Sequence, residues 1–480
     1  MEKLVGRQTE QERLREARDS SSAELIAIYG RRRIGKTFLV RQSYQDSLVF
    51  ELIGVHNASM KEQLQNFSYA LRDAMKSAVD LAIPSTWVIA FDQLKRFLEP
   101  IVTQQKTVIF FDEFPWIHTQ KSNFLKSFDH FWNSWASRYP NLTVVICGSA
   151  ASWMIQHVVN TKGGLHNRVT LQMKLMPFSL NETQEYLKSR AVKLDHYDTL
   201  QLYMAVGGVP HYLKSVLPKH SATQAIDQLF FTDNAPLRSE FANLYKALFD
   251  NPDHHEAVVR ALAKVSKGLT RNELIDATSL STGGTATKVL NELEESGFIT
   301  SYLPFRKDLK DAVYKLTDEY SLFYLKFVER NRIKGAGTWI SLGSSASWRS
   351  WSGYAFESIC FKHIEQIKKA LGPVAHATAS VWRYVPVKGS PDSGAQIDLL
   401  LDRSDRTVDI CEIKFLNEEL TITKKYAEEL RKKVEVFERR TSPGGNVHLV
   451  MVTTYGTVKN EYYRELVQAE IKMADLFKRE

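Results

Sequence analysis

Cysteine is scarce in this chain: Cys147, Cys360 and Cys411 are the three among 480 residues. Each is flanked by apolar residues and none is spaced as a zinc ligand, so they read as small core residues in a reducing cytoplasm. Long hydrophobic runs are missing as well, and no segment approaches the length needed to cross a bilayer. The start, Met1-Glu-Lys-Leu-Val-Gly-Arg7, has neither the apolar stretch of a secretory signal nor the Arg- and Ser-rich character of an organelle presequence. Internal repeats and low-complexity tracts are absent too. A cytoplasmic protein with no membrane partner is the expectation.

What is present is the composition of an ordinary soluble protein, 44% hydrophobic and 25% charged. The length suits about three domains, each with its own core. A net charge of +8 permits attraction to nucleic acid without establishing it.

The strongest motif is Gly30-Arg31-Arg32-Arg33-Ile34-Gly35-Lys36-Thr37, which fits the phosphate-binding loop Gly-x-x-x-x-Gly-Lys-Thr. It follows the apolar run from Leu25 to Tyr29 and precedes the helical pattern Phe38-Leu39-Val40. Glycines let the backbone N–H groups surround phosphates, Lys36 reaches the terminal phosphates, and the Thr37 hydroxyl is a magnesium ligand. Further strands are predicted over Leu48 to Leu52, Thr107 to Phe111, Leu142 to Cys147 and Val169 to Met173, the alternation of a parallel sheet covered by helices.

Asp112 and Glu113 end the strand that starts at Thr107, where ligands of parallel sheets bind. Asp112 is expected to hold magnesium and Glu113 to orient and polarise the attacking water. Ser149, after the strand ending at Cys147, either senses the γ-phosphate or forms a turn. Arg168 is either an arginine finger or a solvated loop residue.

Past Pro177 the pattern turns helical, opened by a capping box of Ser179 with Glu182. Residues 253–330 read as a winged helix: helices through Val258, Ile275 and Leu290, then two strands flanking a basic turn with Arg306, Lys307 and Lys310. That turn suits DNA contact, and an equal reading is a structural or regulatory lid. Residues 331–350 are rich in Gly and Ser and read as a linker. A final α/β segment fills 351–480.

Val5-Gly6-Arg7, the phosphate loop, Phe111-Asp112-Glu113-Phe114, Cys147-Gly148-Ser149 and Gly207-Gly208-Val209-Pro210 together resemble the archaeal-type ATPases, among the AAA-related and signal-transducing P-loop ATPases. The resemblance covers about the first 330 residues and implies an ATPase core over 1–176, a helical lid over 177–252 and the winged helix. It also implies that Gly6 and Arg7 flank the base and that Pro210 belongs to a lid motif reporting the phosphorylation state of the nucleotide.

In the last segment, Glu357 begins a helix, Asp398 lies in the strand Ile397 to Leu401, and Glu412-Ile413-Lys414 lies in another. Alternation puts Glu412 and Lys414 on one face, with Cys411, Ile413 and Phe415 on the other. Asp398 is expected opposite Ile397 and Leu399, so that a hairpin turning near Arg403 to Arg406 gathers the three charges. Two carboxylates on one face need a shared cation, which Mg²⁺ or Mn²⁺ at Asp398 and Glu412 would provide. Lys414 would then position or activate water. This pattern resembles the PD-(D/E)xK nuclease superfamily, with Glu357, Asp398, Glu412 and Lys414 matching its helix acid, strand acid and Glu-x-Lys. Lys424, Lys425, Arg431, Lys432 and Lys433 follow on a helix and are able to track a phosphate backbone, but Glu428, Glu429 and Glu435 are interleaved, so a solvated face is the favoured reading.

The fold class expected is therefore α/β: a P-loop parallel sheet, a helical lid, a winged helix and a restriction-endonuclease-like C-terminal domain. The function expected is an ATP-binding, ATP-hydrolysing domain that controls a metal-dependent nucleic-acid phosphodiesterase. DNA is favoured over RNA, and self-association is left open. The alternative is an ATP-dependent switch whose C-terminal domain only binds nucleic acid or protein.

Overall fold

The first sheet is built from apolar runs that end in polar or small residues. It contains β1 (Glu24–Tyr29), β2 (Leu48–Ile53), β3 (Thr107–Asp112), β4 (Leu142–Gly148) and β5 (Leu171–Lys174). Their order is β2-β3-β4-β1-β5, with every pairing parallel. Each residue of β3 and β4 is buried, which is why these strands read as continuous apolar runs. Ile109, Phe111, Val144 and Ile146 pack with Phe67, Phe91 and Phe128 on one face. Ile26, Ile28, Phe110 and Val145 pack with Leu14, Leu39 and Val40 on the other. Parallel pairing brings the ends of β1, β3 and β4 to one edge, where the site lies.

The computed structural model describes residues 3–159, 165, 167–249, 251–331, 335–372, 376–387 and 394–479. The chain divides into two compact units, Met1–Pro177 with Glu295–Gly297, and Phe178–Glu294 with Phe298–Glu480.

The second unit opens with the predicted capping box, Ser179 with Glu182, at the helix Leu180–Ser189. Helices His196–Val206 and Ala222–Phe230 follow. Helices Pro252–Ala263, Arg271–Thr278 and Gly284–Glu295 then accompany a small antiparallel sheet. Its strands are β6 (Leu269–Thr270), β7 (Ile299–Tyr302) and β8 (Val313–Leu316), in the order β6-β8-β7. The turn after β7 is not free. Phe305 donates its backbone N–H to Val381 O at 2.8 Å, and the Arg306 guanidinium donates to Ser442 O at 3.4 Å and Pro443 O at 2.7 Å. Arg306, one of the three cations of that turn, reaches the C-terminal segment, while Lys307 and Lys310 are exposed.

Residues 335–350, expected as a linker, hold the short helix Thr338–Leu342 and the start of the helix Ala346–Lys362, with Trp339 and Trp348 buried; the part of that linker at 332–334 lies outside the described residues. Asp227 accepts from the backbone N–H of Gly337 at 2.6 Å and of Trp339 at 2.7 Å. Trp339 is buried against Phe323 and Trp348. The local Gly and Ser content serves tight turns around large aromatic side chains, which composition alone does not reveal.

After the helix Ala346–Lys362 come β9 (Thr378–Tyr384), β10 (Ala395–Asp402) and β11 (Thr407–Lys414), then the helix Lys424–Thr441, β12 (Asn446–Thr453) and β13 (Val467–Lys472). The sheet order is β13-β12-β11-β10-β9. β9, β10 and β11 pair antiparallel, while β11, β12 and β13 pair parallel.

Candidate functional site

The phosphate loop bends because its glycines permit it. A Cβ at Gly30, where φ is 145°, would meet Leu175 O at 2.3 Å. Gly35, with φ 91°, caps the helix Lys36–Ser43, whose N-terminus attracts anions. Arg33 is also left-handed, with φ 71°. Arg31 and Ile34 are buried, and Arg32 is half-buried. The buried Lys36 ammonium donates to Gly30 O at 2.9 Å and Arg31 O at 2.8 Å, so it lies over the loop.

The end of β3 closes the site. Thr37 Oγ1 donates to Asp112 Oδ2 at 2.6 Å, which joins the two expected magnesium ligands. Glu113 has φ 47°, a conformation rare for a side chain with a Cβ. Its Oε2 accepts from Ser149 N at 3.0 Å and Ser149 Oγ at 2.8 Å. Ser149 therefore holds the Glu113 carboxylate, a role that neither expectation for it contained. Arg7, nearly fully buried, donates to Ile34 O at 3.4 Å and so reaches the loop from the preceding segment. Arg168 is exposed on the turn that its N–H closes to Leu165 O. Pro210 starts the short helix Pro210–Leu213 in the second unit.

A second charged set lies on the C-terminal sheet. Cys411, Ile413 and Phe415 pack together on one side of β11, as alternation predicts. Glu412 is buried, and three donors reach its carboxylate: Lys414 Nζ at 2.8 Å and Tyr426 OH at 3.0 Å on Oε1, and Lys433 Nζ at 2.5 Å on Oε2. Burial alone would raise its pKa, but Lys433 and Lys414 overcome that and hold it below the usual range. Tyr426 and Lys433 are two helical turns apart and share one helix face. That spacing was the available signal for the contact of both side chains with Glu412, which the sequence reading of this helix, as a solvated face or a phosphate-tracking one, did not contain.

Asp398 departs from strict alternation. A bulge between Ile397 and Leu400 shifts β10 against β9, and Ile397 and Leu399 enter different cores. Asp398 Oδ1 accepts from the Gln396 amide at 2.6 Å. The Glu357 carboxyl is pushed up to about 8 by burial first and by Asp398 next, against the pull of Lys315 and Lys414. Among the described residues, no group of three or more His, Cys, Asp or Glu side chains is gathered as a metal site. No described helix is long and apolar enough to cross a membrane.

Residues 4–216 match a family described as an ATPase domain predominantly from Archaea. With the loop geometry, this makes that region a P-loop ATPase domain. Over 423 residues the chain is 24% identical to the uncharacterized protein MJECL04 of Methanocaldococcus jannaschii, covering 86% of this chain and 87% of that protein. Among solved structures, the Walker-type ATPase PABY2304 of Pyrococcus abyssi is 14% identical, with a TM-score of 0.47 over 67% of this chain and 96% of that one. The ORC2 protein of Aeropyrum pernix, in its ADPNP–ADP complexes, is 15% identical, with a TM-score of 0.40 over 67% of this chain and 93% of that one.

Proposed function

We propose that this chain is an ATP-hydrolysing switch that acts on nucleic acid through its C-terminal domain, residues 351–480. The observation that carries the ATPase half is the contact of Thr37 with Asp112 beside the buried Lys36. These side chains fit ATP with its magnesium ion, which neutralises phosphate charge and polarises the terminal phosphoryl group. The Lys36 ammonium would exchange the Gly30 and Arg31 carbonyls for phosphate oxygens. Glu113, held by Ser149, would orient the attacking water. Glu113→Gln is expected to keep ATP binding while hydrolysis falls at least about a hundredfold, and Lys36→Ala to lose binding. Equilibrium binding and phosphate release measure both, and unaltered binding by Lys36→Ala would sink the assignment.

Support for nucleic acid as the object comes from the C-terminal order of two helices, three strands, a helix, a strand, a short helix, a strand and a last short helix, with Glu412 and Lys414 on β11. Residues 253–330, read as a winged helix, would transmit the nucleotide state. DNA is proposed before RNA.

A second reading makes the C-terminal domain a PD-(D/E)xK-like phosphodiesterase, favoured by Glu357, Asp398, Glu412 and Lys414 lying in one charged neighbourhood. As arranged, both Glu412 oxygens accept from donors and two ammonium groups flank the carboxylate, so this site does not fit a divalent cation. Incubation with DNA and RNA, ATP and Mg²⁺ or Mn²⁺ tests that reading. No cleavage, or equal cleavage by Lys414→Ala, removes it.

A further inference from the structure

Glu412 differs from a waiting metal ligand in the way its charge is already met. Its side chain is 6% exposed, whereas those of Lys414 and Lys433 are 40% and 22% exposed. The carboxylate lies at the bottom and the ammonium groups lie toward solvent. An ammonium has three donors, and the contact of each lysine with Glu412 leaves N–H groups for an outer partner. The Tyr426 hydroxyl also donates to Glu412, and its ring centroid lies 5.7 Å from Lys414 Nζ, a cation–π contact that steadies Lys414.

The wider charge balance favours an anion. Asp398 and Glu412 bring carboxylates to this neighbourhood, and burial first and Asp398 next push the Glu357 carboxyl up to about 8. Against them stand Lys414, Lys433 and Lys315 of β8, whose charge acts on Glu357. Lys315 is held near by its contact with the Tyr302 ring, which packs on Phe361 of the helix Ala346–Lys362.

We propose that Lys414 and Lys433 form a cradle for a phosphate group of a nucleic-acid backbone, with Glu412 as its buried counter-charge and not as a metal ligand. This rests on the reading that the C-terminal domain acts on nucleic acid, and it adds Lys433, which lies outside the Glu-x-Lys pattern. A phosphate oxyanion accepts from both ammonium groups at once, and no metal is required for it to bind.

The test uses the full chain carrying Lys36→Ala, which removes the phosphate loop as a competing site, in EDTA. Binding of fluorescein-labelled duplex DNA is followed by anisotropy over a salt series. Lys433→Ala is expected to weaken binding about tenfold and to reduce the slope of log affinity against log salt by about one. Lys433→Arg, which keeps the charge, is expected to keep the slope. A damaged fold would instead show as a lowered melting temperature in both variants. No binding by the parent chain, or an unchanged affinity and slope in Lys433→Ala, overturns the cradle. Inorganic phosphate is the second probe: Lys433-dependent thermal stabilisation by phosphate without Lys433-dependent DNA binding overturns the nucleic-acid backbone as its source. Cleavage is assayed separately with Mg²⁺, so the phosphodiesterase reading and the cradle can fail independently.

Discussion

Glu357 shows how one side chain can report its surroundings. Its ordinary value of 4.5 is raised to about 8, by burial first and by Asp398 next. The folded chain thus keeps a proton that the unfolded chain releases, so this group's contribution to stability is complete below pH 4.5 and is lost as pH rises through 8. Glu357→Gln removes the titration. Its melting temperature is expected to fall less than that of the parent between pH 5 and pH 8.5, and parallel profiles would contradict the placement. The sequence identified Glu357 as an acid of the last segment, but its protonation depends on burial, which requires the neighbouring elements. Ser149 makes the same point. Its position after β4 was legible, but its hydrogen bonds to Glu113 need β3 and β4 side by side.

At the scale of elements, backbone approach and buried acceptors set the requirements. Gly208 lies so close to Phe178 that a Cβ there would sit 1.9 Å from Phe178 O, and a Cβ at Gly207 would sit 2.8 Å from Glu319 Oε2. Gly208 is needed for this packing and Gly207 for its positive φ of 63°, whatever Pro210 does in a nucleotide response. His363 joins two helices. Its Nε2 accepts from Leu180 N at 3.0 Å, at the start of the helix Leu180–Ser189, and its Nδ1 donates to Ile359 O at 2.8 Å. Burial holds it at about 4, below its ordinary 6.5. The unfolded chain binds the proton first, so stability is lost as pH falls from 6.5 toward 4. His363→Leu leaves the Leu180 N–H without an acceptor and is expected to cost about 1–3 kcal/mol. His363→Gln restores an acceptor and is expected to cost less. Denaturant melts at pH 7.5 would measure both, and equal losses would remove the hydrogen bond as the cause.

For the whole molecule, the cores follow the two units. One pair of apolar clusters is drawn from residues between Leu14 and Leu175, and the other pair from residues between Phe178 and Phe477. Calorimetry is expected to show two unfolding transitions. ATP with Mg²⁺ at about a hundred times its Kd should stabilise the first unit by about 2.7 kcal/mol and leave the other transition in place. Lys36→Ala should abolish that shift. A single transition, or an equal shift of both, would show that the units do not unfold independently.

The sequence by itself determined the phosphate loop, the five parallel strands, the acids ending β3, the capping box at Ser179 and the facing of Glu412 and Lys414 away from Cys411 and Ile413. These are local: they depend on residue type, spacing and strand period, and the chain carries that information within a few residues. Tertiary structure alone decided the strand order, the burial of Trp339 and Trp348 within 335–350, the tie of Arg306 to Pro443 and the bulge that separates Ile397 from Leu399. It also decided that Lys433 meets Glu412. Those outcomes depend on which distant elements become neighbours and on how far each charge is taken from water, and a one-dimensional pattern specifies neither.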